Sequence, residues 1–194
     1  MKYHTLVADP PWPYRDTQGP VGSANAGGTT KYGAVSIQVG NLGYERMSLK
    51  DILTLPVRDV AETNAHLYLW TTNSFMEEAH EVVRAWGFEK KTIITWGKVY
   101  QDDYLRPSMK TGFYYRGATE HVLFCVRGSL KITGTWPTLF LWPRIGKHSR
   151  KPDAFYDLVE QASPGPYVEL FAREHRFGWD VHGFESANTA GFVS

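Results

Sequence analysis

Near its N-terminus the chain has a short apolar run, Leu6–Ala8, followed at once by Asp9, Pro10, Pro11 and Trp12. The apolar run predicts a buried strand, and α/β sheets bind ligands just outside the carboxyl ends of their strands. Neither proline has an N–H group, and Pro11 biases Pro10 towards extended backbone. The segment therefore offers oxygen acceptors beside an aromatic ring, which suits an exocyclic amino group on a planar base. A strand that ends in a proline turn with a buried tryptophan is the alternative interpretation.

The composition restricts the class of protein. The chain has 194 residues and a formal net charge of +1, so its bulk charge gives no support for a dedicated nucleic-acid binder. Its one cysteine, Cys125, lies in an apolar run, which excludes an internal disulfide and fits a reducing compartment. We expect no signal peptide, because residues 1–4 lead directly into the first predicted strand, and no membrane span, because no apolar run approaches about 20 residues. The expected location is the cytoplasm, and no metal site is predicted.

Strands and helices are predicted to alternate along a single domain that spans residues 1–194. The predicted helices cover 47–55, 73–86 and 152–161, and after the first strand the predicted strands cover 66–71, 91–96, 121–127, 167–171 and a short stretch from 181. This alternation indicates an α/β fold with a mostly parallel sheet and helices on both faces. Two polar segments, 13–43 and 99–118, are predicted to be loops that face a substrate. A dinucleotide-binding fold is not favoured, because no Gly-x-Gly-x-x-Gly motif follows a strand.

The segment from Asp9 to Trp12 resembles the signature of amino-group methyltransferases that use S-adenosylmethionine. Its tetrapeptide form resembles the family of the catalytic subunit of the messenger-RNA adenine methyltransferase, and the chain looks like a compact bacterial or phage member. Further matching segments follow in the same order up to residue 185: Tyr44–Ser48, Leu69-Trp70, Trp86–Phe88, Trp96–Lys98, Glu120-His121, His148–Asp153, Glu169–Arg173, Gly178-Trp179 and Gly183. The resemblance implies a Rossmann-like S-adenosylmethionine-dependent methyltransferase fold with a permuted motif order, in which the catalytic strand comes first and the main cofactor strand late.

For the reacting base, the resemblance implies that Asp9 and the Pro10 carbonyl accept hydrogen bonds from the adenine amino group. Such fixed acceptors localise the nitrogen lone pair and aim it at the methyl group, and preorganised polar groups are commonly the largest catalytic term. The whole segment from Asp9 to Trp12 is the predicted catalytic motif. The residues expected to contact the base or the nucleic-acid phosphates are Trp12, Tyr44, Trp96, Glu120, Lys31 and Arg116. The alternatives are a loop anchor for Tyr44, core packing for Trp96, a structural ion pair for Glu120 and solvated loop charges for Lys31 and Arg116.

For the cofactor, S-adenosylmethionine, the resemblance implies that Lys151 meets the methionine carboxylate. A cation at a helix start is electrostatically unfavourable, and this favours a functional role for Lys151. Position 184 is Phe where the family usually has Asn, so an amide contact is lost, although this ring could stack on the cofactor adenine. The other residues expected to line the cofactor site are His148, Ser149, Glu169, Phe171, Arg173, His175 and Glu185.

The predicted activity is methylation of the exocyclic N6 amino group of adenine in nucleic acid, with DNA preferred. The alternatives are an RNA adenine methyltransferase, methylation of the cytosine amino group and a non-catalytic partner subunit that only holds nucleic acid. The target base must be flipped out of a duplex or supplied in a single strand. Because the loops offer little recognition surface, we also expect a second subunit, identical or not.

Overall fold

The computed structural model describes residues 1–13, 47–110, 114–144, 150–172 and 174–182. Its helices are α1 (Leu49–Thr54), α2 (Val57–Val60), α3 (Met76–Ala85) and α4 (Asp153–Ala162). Its strands are β1 (Tyr3–Ala8), β2 (Ala61–Thr71), β3 (Glu89–Tyr100), β4 (Asp103–Pro107), β5 (Thr119–Arg127), β6 (Leu139–Pro143), β7 (Tyr167–Leu170) and β8 (Trp179–His182). Within these ranges, no helix is long and apolar enough to cross a membrane.

The eight strands form one sheet in the order β4-β3-β5-β2-β1-β7-β8, and β6 pairs with β3 off this path. The neighbouring strands β2, β1, β7 and β8 are mutually parallel, so their carboxyl ends meet at one edge of the sheet. Strand β5 is antiparallel to both β2 and β3. The predicted α/β architecture is confirmed, with a sheet that is mixed because β5 and β4 run in the reverse direction.

Helices cover both faces of the sheet, as predicted. On one face, the buried side chains of Leu6 and Ala8 belong to a core cluster that includes Ile52 of α1 and Val82 of α3. On the other face, Val7 belongs to a second cluster with residues of α4. Since side chains alternate along a strand, Asp9 continues the line of Val7 on the α4 face.

The predicted ends of the helices fit their local chemistry. Ser48 caps α1, because its hydroxyl oxygen accepts a hydrogen bond from the Asp51 backbone N–H at 3.2 Å. Gly87 closes α3 with a φ of 79°, a conformation in which a Cβ is disfavoured. The helix α3 begins at Met76 and not at residue 73, because residues 73–75 form a single 3₁₀ turn.

The predicted loops contain two strands that the sequence interpretation missed. Residues 103–107 form β4, which pairs with the end of β3 as a hairpin, so the segment 99–118 is not simply a loop. The stretch 133–150 was expected to be irregular, yet residues 139–143 form β6. Both strands are five residues long, and each pairs with β3 at the end of the sheet order. Among the described strands, no further strand pairs with the outer side of β4 or of β6. All five residues of β4 are exposed and show no alternating pattern, which explains that miss, whereas the five apolar residues of β6 were a strand signal that the sequence interpretation did not use.

Candidate active site

A row of buried charges lies across the edge where β1 and β2 end. The Lys151 Nζ, just before α4, is 2.9 Å from the Asp9 Oδ2 and 2.9 Å from the Glu120 Oε2. The other oxygen of Glu120 contacts the ammonium of Lys98 on β3. We call this row, Asp9–Lys151–Glu120–Lys98, the charge chain. Its side chains are 19%, 9%, 12% and 4% exposed in that order, so each charge depends on its neighbours for solvation.

The sheet register explains how residues so distant in sequence meet. Glu120 is opposite Trp96 in the β3–β5 pairing, and Lys98 lies two residues beyond Trp96 on the same face. Glu120 likewise shares its face with Val122, which belongs to the same core cluster as Val7. All four members of the charge chain therefore lie on the α4 side of the sheet.

Neighbouring charges keep Glu120 and Lys151 ionised, whereas at Lys98 burial outweighs the attraction of Glu120 and lowers the pKa of the ammonium. Burial alone would raise the pKa of the Glu120 carboxyl, but the ammonium groups of Lys151 and Lys98 outweigh it and lower that pKa to about 2. Burial alone would lower the pKa of Lys151, but the carboxylates of Asp9 and Glu120 outweigh it and raise that pKa above its ordinary value. Glu120 and Lys151 are therefore both charged near neutral pH.

Trp70 forms the floor beneath Lys151. The Lys151 Nζ lies 4.8 Å from the centre of the Trp70 ring, which stabilises a desolvated cation. Trp70 is fully buried and packs edge-on against Phe155 of α4, with ring centres 4.7 Å apart. Its indole N–H has no hydrogen-bond acceptor among the described residues. An unsatisfied buried donor next to an ammonium suits a ligand that brings an acceptor oxygen.

The structure does not support the expectation that Trp12 borders the base. Trp12 is 3% exposed and belongs to the core cluster on the α1 and α3 face, opposite to the charge chain. Its ring stacks on Phe75 with centres 5.7 Å apart, and its indole N–H donates to the Trp70 carbonyl at 3.1 Å. Trp12 therefore fixes the end of β1 against the end of β2, as the alternative interpretation had it.

The two prolines shape the turn after Asp9. The Pro10 carbonyl accepts a hydrogen bond from the Trp12 backbone N–H at 2.8 Å, and a carbonyl oxygen retains a second lone pair. The Pro11 carbonyl accepts a hydrogen bond from the Met47 backbone N–H at 3.2 Å. The backbone on both sides of the segment 14–46 is therefore attached to the predicted catalytic motif.

Trp96 and Glu169 lie next to the charge chain and have partners of their own. Trp96 is buried, and its N–H donates to the Trp142 carbonyl at 2.8 Å, which favours core packing. Glu169 of β7 accepts a hydrogen bond from the buried Tyr156 hydroxyl at 2.6 Å. Burial raises the pKa of Glu169, and the hydrogen bond from Tyr156 opposes this while the charge of Asp9 adds to it. Glu169 thus belongs to the electrostatic surroundings of Asp9.

Phe171, directly after β7, has a φ of 66°. This left-handed conformation costs a non-glycine residue about 1–2 kcal/mol. Backbone strain of this kind concentrates at ligand sites, where the surrounding structure over-determines it. The strain lies beside the ends of β1 and β8, where the resemblance implies the cofactor.

The remaining predicted residues are not brought to the charge chain by the described contacts. Arg116 and His175 are exposed. The predictions for Lys31, Tyr44, His148, Ser149, Arg173, Phe184 and Glu185 lie outside the described residues.

The sequence interpretation missed Lys98 and Tyr156 as members of this neighbourhood. Lys98 lies two residues after Trp96 and on the same face of β3, and a lysine in phase with a buried residue is the signal that could have found it. Tyr156 lies on the buried side of α4 between Phe155 and Val159, where a hydroxyl needs a partner.

A carboxylate just outside the carboxyl end of β1, with a buried ammonium beside it, fits the Rossmann-like methyltransferase fold that the resemblance implies. The MT-A70 family matches residues 3–185, and the chain therefore belongs to that family. The predicted family and the methyltransferase class are thereby confirmed.

Known relatives differ in how much of their length the chain covers. The chain is 29% identical to the type II methyltransferase M.MunI of a Mycoplasma species, over 95% of this chain and 78% of that protein. It is 27% identical to the human N(6)-adenosine-methyltransferase catalytic subunit METTL3, over 90% of this chain but 26% of that protein. It is 30% identical to an Arabidopsis thaliana N(6)-adenosine-methyltransferase MT-A70-like protein, over 71% of this chain and 20% of that protein. The chain thus spans about a quarter or less of these eukaryotic relatives.

Proposed function

We propose that this chain is an S-adenosylmethionine-dependent methyltransferase that methylates the exocyclic N6 amino group of adenine in DNA. The observation that carries the proposal is the Asp9 carboxylate, which Lys151 holds at 2.9 Å just outside the carboxyl end of the central strand β1. Membership of the MT-A70 family supports the same reaction.

The chemistry assigned to Asp9 is that of a fixed acceptor. The lone pair of an adenine amino group is delocalised into the ring, so the nitrogen is a weak nucleophile. Lys151 engages Asp9 Oδ2, which leaves Oδ1 and the free lone pair of the Pro10 carbonyl to accept the two amino N–H groups. Because these acceptors are held in place before the base arrives, they localise the lone pair without a cost in reorganisation. The methylated nitrogen is cationic and loses its proton readily.

The residues present fit S-adenosylmethionine, whose contribution when bound is an electrophilic methyl group. A lysine ammonium has three N–H donors, and the described contacts of Lys151 use two of them, towards Asp9 and Glu120. The third donor and the unsatisfied N–H of Trp70 suit the carboxylate of an amino acid. We assign this end to Lys151, and the ribose and adenine end to the region after β7 and β8. The roles of His148, Ser149, Arg173, Phe184 and Glu185 stay predictions.

DNA is proposed as the polymer because the relative of comparable length is a type II methyltransferase. RNA is the second candidate, because several relatives are named as N(6)-adenosine methyltransferases. We also propose that a second subunit supplies recognition surface. A monomeric mass at working concentration, together with full activity, would overturn that last proposal.

The test is transfer of labelled methyl groups from S-adenosylmethionine to single- and double-stranded DNA and RNA, followed by nucleoside mass spectrometry. The proposal expects N6-methyldeoxyadenosine with the wild-type protein and none with Asp9→Ala. N6-methyladenosine from RNA alone would replace DNA by RNA as the substrate. Cofactor binding without transfer to any polymer would favour a missing partner, and the absence of both would refute the proposed function.

A further inference from the structure

Lys98 has no contact with Asp9, yet it is the least exposed member of the charge chain at 4%. Glu120 and Lys151 stand between Lys98 and Asp9 in the row of ion pairs, so Lys98 reaches Asp9 only through these two residues. Replacing a buried ion pair by apolar side chains is often neutral or stabilising, so stability alone does not account for a desolvated lysine at this position. The ionic partner of Lys98 among the described residues is Glu120, so we look for the effect of its charge there.

The formal charges of the charge chain indicate what the Lys98 ammonium contributes. Asp9, Lys151 and Glu120 together carry a charge of −1, and Lys98 brings the sum to zero. Lys151 is equally close, at 2.9 Å, to the carboxylates of Asp9 and Glu120. Because Lys98 binds Glu120 Oε1, only Oε2 is directed at Lys151, so the geometry of Glu120 is fixed from both sides. The single ammonium of Lys151 is then able to serve Asp9 as well.

We propose that Lys98 is a positioning residue for methyl transfer: it binds one oxygen of Glu120 and so orients the other towards Lys151, which keeps Lys151 in place against Asp9. This inference rests on the proposed function, and it adds a residue that acts through two others.

The backbone holds Lys98 in place independently of its charge. Its N–H donates to the Ala118 carbonyl at 2.8 Å, and its carbonyl accepts from the Ser108 N–H at 2.7 Å. Its Nζ lies 4.9 Å from the centre of the Trp96 ring. Both backbone hydrogen bonds of Lys98 are independent of its side chain, so a substitution of that side chain should leave the strand intact.

The electrostatics give the inference a measurable form. An opposite charge within about 4–6 Å lowers a carboxyl pKa by roughly 1 to 3 units, so a neutral residue at position 98 should raise the pKa of Glu120 from about 2 by that amount. A protonated Glu120 carboxyl binds the two lysine ammonium groups less strongly than the carboxylate does, so its hold on Lys151 weakens. The acid limb of the rate profile should therefore move to higher pH. The charged and titratable groups around Glu120 and its partners are Asp9, Lys98, Lys110, His121, Lys151, Tyr156 and Glu169.

The experiment compares two neutral variants, Lys98→Met and Lys98→Gln, with the charge-preserving Lys98→Arg. The matched control is Lys91→Met, since Lys91 is on the same strand but exposed and paired only with Glu89 at 2.7 Å among the described residues. With cofactor and nucleic acid saturating, we expect the neutral variants to lose at least about tenfold in kcat, with the acid limb raised by roughly one pH unit or more. Lys98→Arg should restore the position of the limb, and Lys91→Met should match the wild type. A slower neutral variant with an unmoved acid limb and no rescue by arginine would reduce Lys98 to a packing role.

A second measurement separates this inference from the proposed function. Carbon-13 NMR of carboxyl-labelled glutamate, with Glu120 assigned by Glu120→Gln, reports the titration midpoint of Glu120 without any need for activity. A raised midpoint in Lys98→Gln supports the charge chain even if the wild type transfers no methyl group, in which case the proposed function alone fails. An unchanged midpoint in an active protein refutes the role of Lys98 and leaves the proposed function standing. If Lys98→Met does not fold, Lys98→Gln, which retains a donor for Glu120, decides the outcome.

Discussion

The substitution Asp9→Asn tests the acceptor mechanism most directly. Asparagine has nearly the shape of aspartate and keeps one carbonyl oxygen, but it loses the charge and one acceptor. In the structure Lys151 occupies one carboxylate oxygen of Asp9 at 2.9 Å, so the asparagine oxygen can satisfy either Lys151 or the amino group, but not both as strongly. Removing one preorganised acceptor or donor of this kind typically lowers kcat by about 10²–10³, or about 2.7–4 kcal/mol.

The same substitution should leave folding and cofactor binding nearly intact. Lys151 retains Glu120 at 2.9 Å, so no buried charge is left alone, and we expect the free energy of unfolding to fall by less than about 2 kcal/mol. The assay is single-turnover methyl transfer with saturating cofactor and nucleic acid, with calorimetry of cofactor binding and urea unfolding on the same samples. Asp59→Asn, which removes an exposed carboxylate on α2, is the control for charge. A rate within threefold of the wild type would refute the acceptor role of Asp9.

Three further predictions concern the surroundings of the site. Lys151→Met should weaken cofactor binding at least about tenfold. It should also destabilise the fold by about 3–5 kcal/mol, because Asp9 and Glu120 lose the cation that they share. Unchanged cofactor affinity in calorimetry would remove Lys151 from the cofactor site. Trp12→Phe should lower the free energy of unfolding by about 1–3 kcal/mol through the lost indole N–H, yet keep kcat within twofold; a large fall in kcat at unchanged stability would return Trp12 to the base pocket. Burial lowers the pKa of the His66 imidazole in the folded state, so the unfolded chain binds more protons as the pH falls. The free energy of unfolding should therefore be full above about pH 6.5 and decline below it. His66→Asn should flatten that decline, as measured by urea unfolding at a series of pH values. Burial lowers the pKa of His121 in the same direction, so part of the slope should persist in His66→Asn, and an unchanged slope would contradict the assignment to His66.

The parts of the fold that were predictable carry strong local signals. The end of β1 could be located because an apolar run stops at a carboxylate and two prolines, and α1 and α3 could be located from Ser48 and Gly87. The strand β4 could not be predicted, because all five of its residues are exposed and no alternating pattern marks it. The antiparallel direction of β5 could not be predicted either, because the apolar pattern of a buried strand does not depend on whether the strand is parallel or antiparallel to its neighbour.

The candidate site likewise contains residues that the sequence predicted and residues that it did not. Asp9, Lys151 and Glu120 were predicted individually, from a motif or a resemblance, and the structure places them in contact. Trp12 was misplaced because a motif gives residue types and not the face to which each side chain points. Lys98 was missed because its importance comes from a cross-strand neighbour, which no local pattern contains.

The reversed direction of β5 is what makes the charge chain possible. Glu120 is the second residue of β5, so in the antiparallel arrangement it lies beside the carboxyl end of β2, where Thr71 is opposite His121. Had β5 run parallel to β2, Glu120 would lie near the opposite edge of the sheet, roughly 25 Å away at about 3.3 Å per residue. Lys98 reaches the same edge because β3 is antiparallel to β5 and approaches its own carboxyl end there. A strictly parallel sheet would thus leave Lys151 with Asp9 alone, and the mixed sheet is the feature that supplies the second carboxylate and its counter-ion.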